Sequence, residues 1–190
     1  MKKKTLLIIP GILIVFMASI FFYMKIEASK IQTPKDSFAE AKTDGFKDLN
    51  ELAEKTPVIV KGKKINEEQV VDYIGGIASG YTRTEFKISE IIKNETSKEL
   101  NNNDIITVIE SAFYDAKNNT NVHVNGYQLM NIDDEYLLYM IYDSENDTYA
   151  PRGVTFGKIP LETNQTEILN NGSNMDSINV IKEGQKKYQK

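Results

Sequence analysis

The sequence predicts a mainly β chain: an N-terminal transmembrane helix, then a small five-stranded antiparallel barrel with a short capping helix. A small β-sandwich is the alternative. Three observations lead there. Thr5 to Met24 is a single uncharged apolar run behind Met1-Lys2-Lys3-Lys4. From Val58 onward, β-branched and aromatic stretches alternate with polar turns. Five such strands in an open sheet would leave two edges to protect, and closure removes both.

The N-terminal run sets the location. Its 20 residues would reach about 30 Å as a helix, the thickness of a bilayer's hydrocarbon core. The three lysines favour the cytoplasmic side, so the N-terminus stays in the cytoplasm and the rest lies outside. Phe21, Phe22 and Tyr23 fall where an aromatic belt meets the outer interface, and Pro10 is tolerable in a membrane helix. The alternative is a signal peptide, cleaved near Ile26-Glu27-Ala28, with secretion of the remainder. Its apolar core would be shorter and would end in small residues rather than aromatics. Either way the domain is extracytoplasmic.

Composition narrows the classes. From Ile31 onward there are 18 Lys and Arg against 26 Asp and Glu, a poor match to phosphate backbones, so no nucleic-acid partner is expected. The chain has no cysteine, which excludes disulfide scaffolds, thiolate metal sites, Cys nucleophiles and a lipid-modified Cys anchor. Abundant Asn, Lys and Ile look like an AT-rich bacterial genome.

The elements follow in order. Residues 25–43 read as a polar tether. Phe46, Leu49, Leu52 and Ala53 share one face of a short helix from Asp44, its expected N-cap, to Lys55. Val58 to Ile65 is a strand with a bend at Gly62. Asn66 to Gly80 reads as a helical turn or two and then a Gly-rich loop. Tyr81 to Ile92 alternates as a strand, and Asp104 to Ala112 is the third. Asn118 to Asp134 has little periodicity, although Asn121 to Val124 could pair briefly. Glu135 to Asp143 is apolar at nearly every position and so central. Arg152 to Leu161 is the fifth strand, after a Ser144–Pro151 connector. Residues 162–190 read as a flexible tail with room for a short helix near Met175 to Lys182. The domain thus spans 44–161, and five strands behind a capping helix fit a barrel of OB type.

Val58-Ile59-Val60-Lys61-Gly62-Lys63, Thr84 to Lys93 and Glu135-Tyr136-Leu137-Leu138-Tyr139-Met140, with Tyr149-Ala150-Pro151 after them, resemble a loosely defined group of uncharacterised Gram-positive cell-surface proteins. The strand order is also similar to the OB-like barrels of netrin and inhibitor-of-metalloproteinase domains. The resemblance covers about residues 45–160 and implies a binding module. Asn94 stands where that pattern has Gly, and the N-terminal Cys needed for metalloproteinase inhibition is missing. No functional residue carries over.

Candidate chemistry is sparse. His123 is the only histidine; between Val122 and Val124 it reads as an exposed or edge-strand residue, with no GxSxG to meet it. Gly75, Gly76 and Gly80 lack the lysine and the pattern of a phosphate cradle. Asp143, Glu145 and Asp147 alternate as in a calcium loop, but Thr148 and Val154 occupy the positions of its Gly and Glu. They are the weak metal candidates, with Asp133-Asp134-Glu135 as a second acidic cluster. Tyr73, Tyr81, Tyr114, Tyr127, Tyr136, Tyr139, Tyr142 and Tyr149 suit core packing first and an interface second. Asn-x-Ser/Thr triplets at Asn94, Asn118, Asn146, Asn164 and Asn171 are what so Asn-rich a chain contains by chance. No catalytic residue and no cofactor are expected. The sequence points to a membrane-anchored, non-catalytic binding module with an envelope protein or the cell wall as partner. The alternative is an accessory subunit of a membrane export, conjugation or immunity complex.

Overall fold

The computed structural model describes residues 33–162 and 175–188. The chain divides into two compact units, residues 1–34 and 35–190. The expected membrane segment and residues 25–32 of the tether lie outside the described residues, as do Asn164 and Asn171. Among the described residues no helix is long and apolar enough to cross a membrane.

The second unit is mainly β. In chain order it contains β1 (Lys35–Ala39), α1 (Leu49–Lys55), β2 (Val58–Ile74), β3 (Ile77–Asn94), β4 (Ile105–Glu110), β5 (Ala112–Asp115), β6 (Thr120–Val124), β7 (Glu135–Asp143), β8 (Thr148–Pro151), β9 (Lys158–Pro160) and α2 (Met175–Tyr188). The larger sheet runs β2-β3-β4-β8-β7-β9, and β2 also pairs with β7. That extra pairing returns β7 to the first strand, so β2, β3, β4, β8 and β7 form a ring. Its neighbours are antiparallel except β4 and β8, which meet in parallel at Val108 and Tyr149. The smaller sheet, β1-β6-β5, lies outside the ring.

Alternation in β2 and β7 builds two cores. Val58, Val60, Tyr136, Leu138 and Met140 join Phe86, Ile88, Ile106 and Val108 in one cluster. Their neighbours Ile59, Leu137 and Tyr139 face a second cluster with Phe46, Leu49, Leu52, Ile159, Val180 and Ile181. Both faces of β7 are covered from Tyr136 to Met140, which is why that stretch is apolar without a break.

Several elements differ from the sequence expectation. Residues 66–80 are neither helix nor loop. Both strands run straight through this stretch, and Gly75 and Gly76, with φ of 61° and 86°, form the two-residue turn of one long hairpin. Ser144–Pro151 is not merely a connector, since β8 occupies its second half. The fifth strand shrinks to Lys158–Pro160. Residues 35–39 of the tether form β1. The α1 N-cap is Asp48, whose side chain accepts from Glu51 N at 2.8 Å, while Asp44 instead pairs with Arg152. In the expected tail, α2 extends to Tyr188 and buries Val180, Ile181 and Gly184. Glu183 accepts from Leu49 N at 2.9 Å, and Gly184 lies against Ile159.

The expected bend at Gly62 is present: the β2 register shifts between Lys61 and Gly62. A Cβ at Gly62 would fall within the van der Waals radii of the Lys87 carbonyl oxygen and the Phe86 ring. Gly62→Ala is therefore expected to cost about 1–3 kcal/mol, the usual range for forced overpacking. A chemical-denaturation midpoint equal to that of the parent would contradict this.

Candidate functional site

Alternation places some charged residues inside. Lys64 has the same phase as Val58 and Val60, Glu110 that of Ile106 and Val108, and Thr84 that of Phe86. All three side chains are buried. Isolated charges there would be costly, and each is matched.

The Glu110 carboxylate takes four donors. Lys64 Nζ at 2.9 Å and Thr84 Oγ1 at 2.5 Å meet Oε1; Tyr127 OH at 3.0 Å and Met130 N at 2.7 Å meet Oε2. Lys64 Nζ also donates to the Met130 carbonyl at 2.7 Å and contacts Glu67 at 2.5 Å. Nearby, Lys158 is buried, donates to the Gln128 carbonyl and sits 4.0 Å from the Tyr127 ring centre. Burial lowers its pKa to about 8; Glu110 acts in the opposite direction. Burial, then Glu110, raises the Tyr127 hydroxyl well above its ordinary value.

These contacts share a target. Apart from a single parallel bridge of Ile132 to Lys64, residues 127–134 follow β6 without entering a ladder, so their other buried backbone groups need partners elsewhere. Glu110 serves Met130 N, Lys64 serves Met130 O and Lys158 serves Gln128 O. The cluster holds a loop against the larger sheet instead of presenting a reactive group to solvent.

That loop forms one wall of a groove of about 270 Å³, with Gln128, Leu129 and Asn131 facing Gln69, Tyr114 and Asn121. The lining mixes amide and aromatic side chains with the aliphatic Ala112, Val122 and Leu129, able to hydrogen-bond a neutral ligand and cover its apolar parts. Gln69 Oε1 accepts from Tyr114 N at 2.7 Å, bracing the hairpin on β5. A second groove of about 180 Å³ runs past Glu67, Glu68, Arg83 and Glu85.

His123 lies at the back of the first groove and is buried, not exposed. It sits on the middle strand of the small sheet because β1 pairs with β6, aligning Phe38 with His123. Nδ1 is 2.8 Å from the Tyr127 carbonyl and Nε2 is 3.2 Å from Asp36, so both ring nitrogens are occupied. Phe38 stacks on the ring at 5.5 Å. The His123 hydrogen bond, then that of Asn121, holds the Asp36 carboxyl below its usual range.

Asp143, Glu145 and Asp147 share the β7–β8 turn without converging. Asp143 accepts from Glu145 N at 2.9 Å and Asn146 Nδ2 at 2.7 Å; Asp147 meets Lys98 and accepts from Tyr142 OH at 3.0 Å. Among the described residues no group of three or more His, Cys, Asp or Glu side chains is placed to hold a metal ion. Of the tyrosines, Tyr127, Tyr136, Tyr139 and Tyr149 are fully buried, while Tyr73, Tyr81, Tyr114 and Tyr142 keep some exposure.

Sequence reasoning missed Lys64, Glu110 and Lys158. For the first two a signal existed, the phase of strand alternation. Lys158 offered none, since all three residues of β9 are buried. Compared with protein-family models, with curated proteins and with solved structures, the chain matches none.

Proposed function

We propose that the chain is a non-catalytic binding module, held at the outer face of a membrane by Thr5–Met24 and built on an OB-like barrel. The β2-β3-β4-β8-β7 ring with one parallel contact supports the barrel reading, since small closed β rings of this size bind ligands through their faces and loops. The single observation that carries the binding reading is the groove beside Gln128, Leu129 and Asn131. Its wall is fixed by buried ionic contacts while its lining stays uncharged, as suits a pre-formed site. The partner is an envelope protein or the wall itself, presenting neutral hydrogen-bonding groups.

The test is site-specific photo-crosslinking of the full chain in intact cells, with the reactive group at Leu129 and, as control, at Lys87 on an exposed stretch of β3. A defined adduct from position 129 and none from 87 is the expected result. Equal yields, or none from 129, would remove the groove from the proposal. Replacing Thr5–Met24 with an unrelated span should leave the adduct unchanged; its loss would favour the accessory-subunit reading, in which the helix is itself the partner surface.

A further inference from the structure

The β2–β3 hairpin ends in an unusual surface. Ile74 and Ile77 are direct cross-strand partners beside the Gly75-Gly76 turn. At 73% and 75% they are the most exposed of the large apolar side chains among the described residues. The turn requires the glycines, but nothing in it requires isoleucine.

The arm carrying this tip is braced. Tyr73 OH donates to Asp115 at 2.7 Å, and Lys117 Nζ lies 3.3 Å from the Tyr73 ring centre. Asp115 pairs with Thr120, Thr120 pairs with Lys35, and Lys35 N donates to the Asn119 carbonyl at 3.0 Å. Lys35, where the N-terminal segment joins the domain, thus lies two strand spacings, about 10 Å, from the residue that anchors the hairpin tip. Only residues 25–34 separate it from the apolar run, a span of at most about 36 Å when fully extended. The far end of β2, at Val58, is about 55 Å along the strand from Ile74.

We infer that Ile74 and Ile77 insert into the membrane that the N-terminal segment spans, making a second attachment that fixes the domain's orientation. This rests on the anchor reading above. The tether makes insertion intramolecular, so a contact too weak to recruit a free domain suffices at high effective concentration. The acidic domain offers no attraction to anionic headgroups, so the occupant is the apolar layer of a bilayer, and neutral lipid serves as well as charged.

The chain has no tryptophan, so Ile74→Trp supplies a single reporter. The full chain is placed in phosphatidylcholine vesicles containing brominated lipid, beside an Ile105→Trp chain as control. Ile105 is also exposed, but it pairs with Lys87, ten residues along β3 from Ile77. The expected result is a blue-shifted emission and several-fold stronger quenching for Ile74→Trp than for Ile105→Trp, lost when Ile77→Asp is added. Equal quenching in a chain that resists alkaline carbonate extraction would overturn the tip insertion alone, including the case where the tip binds a protein. Release of the chain by carbonate would overturn the anchor and the insertion with it.

Discussion

Glu110→Ala is expected to lower the stability of the folded domain by about 3–5 kcal/mol, the usual cost of removing one partner from a buried ion pair. The substitution leaves Thr84 Oγ1, Tyr127 OH and Met130 N without their acceptor and deprives Lys64 of its fully buried anion, leaving the partly exposed Glu67. Domains of this size are stable by only about 5–15 kcal/mol, so the urea midpoint should fall steeply. The loss has an address: amide exchange should accelerate first in residues 127–134, the loop whose backbone the carboxylate holds. Glu110→Gln keeps the shape and one acceptor oxygen and should fall between the two. A Glu110→Ala chain with the parent's midpoint and the parent's exchange at Met130 would refute the assigned role.

The next largest effect is a rise in stability on the alkaline side of neutrality. Lys158 has a folded pKa lowered, chiefly by burial, to about 8 from 10.5. Between these values the unfolded chain holds the proton that the folded chain has released. Stability therefore rises with pH across this window, by about 1.4 kcal/mol per pH unit, and the full gain is present only above the unfolded value. Below about pH 8 both states are protonated and the cost of the buried cation is constant. Tyr127 and Tyr149 act oppositely: burial raises both, Tyr149 to about 12, so their contribution is lost as pH passes the ordinary tyrosine value near 10. Denaturation at pH 7.5 to 9.5 avoids that range. The parent should gain stability across it and Lys158→Met should stay flat; parallel slopes would place the proton elsewhere.

How much of this was legible in the sequence differs from element to element. β7 was found at its full extent, because the unbroken apolar run from Tyr136 to Tyr142 has few other uses in a chain this polar. The bend at Gly62 was found because glycine inside a β-branched run signals close backbone approach, and the Phe86 ring and Lys87 carbonyl fill that space. The distal hairpin was missed. Asn66 to Asp72 pairs only with β3, so it lacks the apolar alternation of a strand lying on a core. His123 was misjudged for a related reason. Its burial depends on β1, five exposed residues that pair through backbone and so carry no apolar pattern of their own. α2 was underestimated because three core contacts, at Val180, Ile181 and Gly184, were enough to dock it.

The sequence alone determined that the chain would be mainly β, which stretches would form its central strands, and that one strand would be covered on both faces. Side-chain alternation and propensity are local quantities, readable within a few residues. Only the tertiary structure decided that β7 returns to β2, that β1 joins β6, and that Lys64, Glu110 and Lys158 meet beneath residues 127–134. Each of those pairings joins groups far apart in the chain. A lysine or glutamate looks the same in sequence whether its partner is water or a buried carbonyl.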